Sequence, residues 1–239
     1  MPDAPPAGPL SGLLVADFSR VLAGPYATML LADLGADVVK VESPEGDETR
    51  TWTPPVRGGV STYYLGINRG KRSVALDLRD DADLELAHEL ARRADVMIQN
   101  FRPGGLTRYG LDHATVSSTN PGIVYASISG FGTGPGARVP GYDLMVQAVS
   151  GLMSLTGDPD GPPYRAGISV FDVMAGNHAV IGILAALTVA WSSPNRARPP
   201  GRKFWISTSA RRASSWASSR SPASRRSRAT ERLPRLMPR

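Results

Sequence analysis

The stretch "GISVFDVMAG" (residues 167–176) sets one carboxylate, Asp172, between the run Ile168–Phe171 and the apolar segment "VMAGNHAVIGILAAL". Two roles suit that spacing. An aspartate ahead of an apolar helix is a good N-cap, contributing about 1 kcal/mol. A carboxylate leaving a helix start, desolvated by apolar neighbours and held by the positive dipole end, can also serve as a nucleophile in covalent catalysis. The two roles are compatible, and the pattern alone does not separate them. Other chemistries lack their residues. The sequence has no cysteine, so it forms no disulfides and offers no thiol chemistry. His88, His113 and His178 are scattered over predicted helices and read as surface or packing residues. No His/Cys/Asp cluster has metal-ligand spacing, so no metal is expected. No G-x-G-x-x-G joins a strand to a helix and no Walker sequence is present, which argues against a dinucleotide or ATP.

The elements that must position Asp172 alternate along the chain. "LLVADF" (13–18), "DVVKVE" (37–42), "RSVALDL" (72–78), "DVMIQN" (95–100) and "GIVYASISG" (122–130) read as short buried strands. Between them, "GPYATMLLADLGA" has Pro25 for a first helical turn and Gly35 for its end, and "DDADLELAHELARRA" carries one apolar face at helical spacing. Strands alternating with helices predict an α/β fold with a mostly parallel, Rossmann-like sheet and helices on both faces. In such sheets ligands bind at the carboxyl ends of strands. Here those ends are "SRVLAGP", "SPEGDETR", "NFRPG" and "GFGTGPGARVPGYD". "YDLMVQAVSGLMSL" reads as a helix within a Gly/Pro-rich loop, and residues 172–191 as the final long helix.

The 239 residues, 41% hydrophobic and 20% charged, suffice for a sizeable core in a globular protein. The longest apolar stretch, "AVIGILAALTVAW" (179–191), has 13 residues, too few to span a bilayer, so no membrane partner is expected. "MPDAPPAGPLSG" carries neither a basic nor an apolar leader region, and a cytoplasmic protein is expected. The net charge of +6 is unevenly placed. Residues 203–239 hold 10 Lys/Arg and one acid, Glu231, leaving 17 bases and 20 acids in residues 1–202. The body is mildly acidic. After Ser192 the chain is dominated by Ser, Arg, Ala and Pro without sustained period, a composition that cannot offset its ordering entropy. Residues 1–12 are expected to be flexible, 13–191 to form the large-domain portion, and 192–239 to be a disordered tail.

"LSGLLVADFSRVLAGPYATMLLADLGADVVKVESPEGDETR" resembles the opening of the family III CoA-transferases, which include formyl-CoA and carnitine CoA-transferases and the related α-methylacyl-CoA racemases. "NRGKRSVALDLR", "ADVMIQNFRPGGLTRYGL", "IVYASISGFGTGPGARVPGYDLMVQAVSGLMSLTG" and "PYRAGISVFDVMAGNHAVIGILAAL" continue the resemblance in order. It implies an enzyme that exchanges CoA between carboxylic acids, with acyl-CoA and an acceptor acid as its partners and no permanently bound cofactor. It further implies that Asp172 forms an aspartyl-acyl anhydride and then an aspartyl-CoA thioester, and that intact relatives are homodimers. Val21, Ala23, Leu76, Arg79, Asn100, Phe101, Arg108 and Tyr109 fall where the family contacts CoA, the basic ones toward phosphates. Backbone N–H groups at the helix start are expected to serve an oxyanion. Ser43 departs from the pattern, since some relatives place an arginine there. Tyr142 stands where racemases carry a histidine, and a phenol is a poor base at neutral pH, so transfer is favoured over racemisation.

Beyond the last helix the family usually reads like R-x-x-T-G-x-G-Q-x-V-D-x-x-L, whereas this chain has "PPGRKFWISTS". Back-translated and read from the third base, "FWIS" gives Leu, Asp, then Ile, Leu or Phe, and "GRK" permits Gln-Val before them. A frameshift between about Thr188 and Gly201 is therefore expected to have produced the tail, leaving a half-formed site with little or no turnover. A nucleic-acid-binding role for the basic tail is the remaining alternative. It has few aromatics among its bases to stack on, so no nucleic acid is expected.

Overall fold

Two-layer burial of short apolar strands explains the architecture of the computed structural model, which describes residues 8–192. In chain order the elements are β1 (Leu14–Asp17), α1 (Ala23–Asp33), β2 (Asp37–Glu42), β3 (Val56–Arg57), β4 (Val60–Ser61), α2 (Thr62–Ile67), β5 (Arg72–Ala75), α3 (Asp81–Arg93), β6 (Val96–Gln99), α4 (His113–Thr119), β7 (Val124–Ser127), α5 (Asp143–Val149) and α6 (Val170–Ser192). Five strands pair in the order β5-β2-β1-β6-β7, parallel throughout, with Val15 opposite both Val38 and Val96. Strand order reverses beside β1, which makes the crevice above β1 and β6 the expected ligand position in a doubly wound sheet. β3 and β4 form a separate antiparallel hairpin.

Side chains alternate between two cores, as strand geometry requires. Val15, Val38, Val96 and Ile98 pack with Ala27 and Leu31 of α1 and with Val180, Ile183 and Leu187 of α6. Ala16, Val41, Val74 and Met97 pack with Ala87, Leu90 and Ala91 of α3 and Val116 of α4. Asp80 caps α3 by accepting from the Ala82 and Asp83 amides. Arg92 and Arg93 close that helix at its negative dipole end.

The five main strands and the large helices fall where the sequence places them. Three local differences have physical causes. The last helix starts at Val170, so Asp172 is its third residue and not its cap. The helix expected across "YDLMVQAVSGLMSL" stops at Val149, because Gly151 turns left-handed (φ 82°) before a short 3-10 turn at Leu152–Leu155. The β3–β4 hairpin was not expected, since two-residue strands show no alternation. Its turn rests on Gly58 and Gly59, both at positive φ (58° and 78°), as a tight hairpin requires. Of the expected tail, Ser192 ends the last helix, and residues 193–239 lie outside the described residues. The 13-residue apolar run proves to be part of a longer apolar helix. Val170–Val189 has a mean hydropathy of 1.7 and is long and apolar enough to cross a membrane by length and composition. The sequence-based length criterion therefore does not separate it from a spanning segment. One side of it packs on α1 and the sheet, while Met174, Ile181 and Val189 are exposed.

α1 and α6 approach closely at Gly176, where an added Cβ would meet the Ala23 carbonyl oxygen at 2.8 Å and the Tyr26 ring at 2.9 Å. At Gly182 on the same helix nothing lies within 4 Å. Gly176→Ala is expected to lower the unfolding free energy in urea by roughly 1–3 kcal/mol through overpacking. Gly182→Ala is expected to raise it by up to about 1 kcal/mol through helix propensity.

Candidate functional site

The turn that joins β1 to α1 is held in an unusual backbone. Val21 has φ 69°, the one positive φ at a non-glycine residue among the described residues, and a β-branched side chain is strained there. Three partners fix it. Asp47 Oδ2 accepts from the Val21 amide at 3.2 Å. Asn100 accepts from the Arg20 amide at 2.9 Å and donates back to the Arg20 carbonyl at 2.7 Å. Lys40 Nζ donates to the Ser19 carbonyl at 2.8 Å. The ends of β1 and β6 are thereby tied together at the switch point, with the Arg20 guanidinium over the Phe101 ring at 5.9 Å.

Beneath this turn lies a buried charge network. Lys40 pairs with Asp47 at 2.9 Å, and Lys71 with Asp17 at 3.1 Å, all four side chains almost fully buried. Burial pushes the Lys71 ammonium down to about 8, against the pull of Asp17. Asp17 feels the opposing effect of burial, yet Lys71, Lys40 and hydrogen bonds from Ser19 and Thr28 hold it below its ordinary value. Glu42 is also buried, but Arg50, bound through two nitrogens at 2.7 Å, together with Ser73, Tyr64 and the Asp47 amide, brings it down to about 2. Every charge here has an opposite partner, as buried charges require. Asp47 connects this network to the turn by holding the Val21 amide.

Asp172 sits partly buried in the first turn of α6. Its amide and that of Phe171 both donate to Asp143 Oδ1, at 3.1 and 2.7 Å, so Asp143 of α5 caps α6 from outside. The Asp172 carboxylate itself makes no hydrogen bond among the described residues. Burial raises its pKa from 3.8 to about 6, with a further push from the Asp143 charge. Tyr63 lies within reach of the same charges. Burial, followed by Asp172, Asp47 and Asp143, raises its phenol to about 12, which keeps it a proton donor near Asp172. The Tyr63 ring packs on Trp52 at 5.1 Å between centroids. The two rings line an open pocket of about 360 Å³ with Pro54, Pro55 and Ser61. The Ser61 hydroxyl is buried there without a partner among the described residues.

The expected ligand residues gather at the carboxyl ends of the strands. Val21 and Ala23 follow β1, Leu76 and Arg79 follow β5, and Asn100, Phe101, Arg108 and Tyr109 follow β6. Leu76 is buried, Phe101 and Tyr109 are partly so, and all three border the core on the α3 side. Arg108 is exposed above the Tyr109 ring at 4.5 Å. Arg79 is also exposed, and its fork is engaged bidentately by Asp77 at 2.9 and 3.0 Å. The nearby Asp77, Glu45 and Tyr109 raise its pKa. Asn100 is committed to Arg20 through both ends of its amide, so it shapes the turn directly. Ser43 is exposed, its hydroxyl donating to Gly46 at 3.3 Å. Tyr142 is 59% exposed, just ahead of α5.

One expectation is corrected. The amides at the start of α6 are not open to an oxyanion, because Phe171 and Asp172 donate to Asp143 and Val173 donates to Ser169 at 3.1 Å. The sequence reading also missed Asp143, Tyr63, Trp52 and Asp47. The aromatic pair "YY" after a Pro/Gly-rich stretch was the available signal for Tyr63. Nothing local marked the role of Asp143, since it acts 29 residues downstream.

A family model described as CoA-transferase family III matches residues 10–219. The chain is 49% identical over 201 residues to a succinate–glutarate CoA-transferase of Agrobacterium fabrum, covering 81% of this chain and 50% of the relative. It is 49% identical over 187 residues to an acetyl-CoA:oxalate CoA-transferase of Acetobacter aceti, covering 77% and 48%. A crystal structure of a CAIB/BAIF family protein from Brucella suis superposes with a TM-score of 0.75 at 47% identity, covering 78% of this chain and 50% of that one. The chain spans about half the length of the curated relatives it matches.

The Asp172 carboxyl binds its proton more tightly in the folded chain than in the unfolded one. Its favourable contribution is therefore complete below about pH 4 and is lost as pH rises through about 6. Asp172→Asn is expected to raise the unfolding free energy at pH 7 by on the order of 1–3 kcal/mol, and to change it little at pH 4. Urea denaturation at the two pH values checks this.

Proposed function

Because the chain belongs to CoA-transferase family III, we propose that Asp172 is the nucleophile of a transfer of CoA from an acyl-CoA to a carboxylic acid. The observation that carries this reading is the setting of its carboxylate. It is partly buried, makes no hydrogen bond among the described residues, and has a pKa near 6, so at neutral pH it is mostly ionised yet poorly solvated. An oxygen of Asp172 attacks the thioester carbonyl, the C–S bond breaks, and CoA leaves as thiolate from a mixed anhydride. The thiolate then attacks the aspartyl carbonyl of that anhydride, which releases the donor's carboxylate and leaves an aspartyl-CoA thioester. The acceptor carboxylate repeats the sequence in reverse and departs as its CoA thioester, freeing Asp172. No water, proton or redox partner is consumed. Exchange between carboxylates is close to energy-neutral, so positioning and exclusion of water are the enzyme's main tasks.

In this reading the carboxyl ends of the strands hold CoA. The turn at Val21 and Ala23, with Leu76, Asn100, Phe101 and Tyr109, takes the adenosine and pantetheine, and Arg79 and Arg108 take the phosphates. Arg79 must exchange Asp77 for a phosphate oxygen, which its exposure permits. Trp52, Tyr63 and Tyr142 flank the acyl end. The relatives named above act on succinate, glutarate and oxalate, and we take a dicarboxylic acid as the acceptor class. A homodimer belongs to the same reading, supported by the exposed Leu144, Val149 and Ile181. We further propose the frame change between about Thr188 and Gly201. Sequencing the gene there checks it, and an intact frame without recoverable family sequence in the alternative frame would rule it out.

With acyl-CoA and a dicarboxylic acceptor, labelled hydroxylamine is expected to convert the aspartyl-CoA thioester to a hydroxamate, releasing CoA and leaving its label on Asp172. Labelling should fall as pH drops through about 6 and vanish in Asp172→Asn. Turnover is expected from the frame-restored chain, with little or none from the 239-residue chain. Undiminished exchange by the Asn variant of the restored chain would sink the assignment.

A further inference from the structure

The carboxylate that caps α6 is itself held by a buried amide. Gln147, one turn along α5 from Asp143, is 1% exposed. Its Nε2 donates to Asp143 Oδ2 and, at 3.3 Å, to the Ile168 carbonyl. Its Oε1 accepts from the Ala166 amide at 2.8 Å. Both donor hydrogens and the acceptor are thus spent on three points that surround the start of α6. With Asp143 Oδ2 fixed by Gln147, Oδ1 is aimed at the Phe171 and Asp172 amides.

We propose that Gln147 is a positioning residue for Asp172, acting through Asp143 and the loop at residues 166–168 to fix the backbone from which the carboxylate projects. This rests on the reading of Asp172 as nucleophile. The chemistry selects an amide. Leucine fills similar volume but leaves Asp143 without its donor and the Ala166 amide without its acceptor, both buried losses. Glutamate keeps the shape but sets a second carboxylate against Asp143, and donates only when the pair retains a proton. Tyr63 of α2 feels the charges of both Asp172 and Asp143, and burial keeps its phenol protonated through the working pH range.

Amide hydrogen exchange in the intact 239-residue chain tests this without any turnover. Phe171 and Asp172 report on the cap, while Met97 and Ile98 in β6 report on global opening. In Gln147→Leu, protection at Phe171 and Asp172 is expected to fall roughly tenfold or more, with Met97 and Ile98 unchanged. In Gln147→Glu, that protection should be retained near about pH 5 and lost near about pH 8, beyond the change that titration of Asp172 gives the wild type. Unchanged cap protection in the Leu variant would overturn the proposal, as would a loss shared equally with Met97 and Ile98. If the Leu variant does not fold, a pH dependence of protection in the Glu variant equal to that of the wild type overturns it alone. Failure to label Asp172 in the presence of acyl-CoA would remove the nucleophile reading and leave these exchange results standing, so the two fail separately.

Discussion

Withdrawing the Asp172 carboxylate from water costs stability, and the elements around it are arranged to tolerate that cost while keeping the group aimed. The side chain stands in the first turn of α6, whose far side is anchored in the core by Val180, Ile183 and Leu187. Close packing at Gly176 fixes the height of that helix against α1. The helix start would ordinarily be capped from its own sequence. Here the cap is lent by Asp143, which leaves the Asp172 side chain free of the capping duty its position suggests. The same loan adds a second negative charge nearby, which pushes further upward a pKa that burial has already raised. A carboxylate stabilised less than usual in its ionised form is a stronger nucleophile for a thioester.

A strained turn follows β1. Val21 is held left-handed by Asp47, which a buried lysine and the ordered carboxylate of Glu42 hold in turn. Such strain persists only where surroundings over-determine the backbone, and it clusters at ligand sites. Tyr63 registers the charges of both Asp47 and Asp172, which links the strained turn and the acidic helix start through one protonated phenol.

The strands were legible because buried parallel strands read as short apolar runs between turn signals, and the switch point follows from their alternation with helices. Asp172 stood out in the sequence as an isolated carboxylate among apolar residues. Its partners were not. Asp143 and Gln147 act across 29 and 21 residues, and "YDLMVQA" reads locally as an ordinary amphipathic turn. Trp52 and Tyr63 are brought together by a hairpin too short to show a period. Arg79 looked like a free cation, and its partner Asp77 lies only two residues away in a loop. Residue type suggested the chemistry, and tertiary contact decided which groups were available for it.

The withheld solvation of Asp172 is open to direct observation. Carbon-13 labelling of aspartate carboxyls, with Asp172→Asn to assign the resonance, allows its titration to be followed by NMR in the intact chain. A midpoint near 6, falling toward the ordinary carboxylate value when Asp143 is replaced by Asn, is the result that this account requires. A midpoint at the ordinary value, indifferent to residue 143, would contradict it.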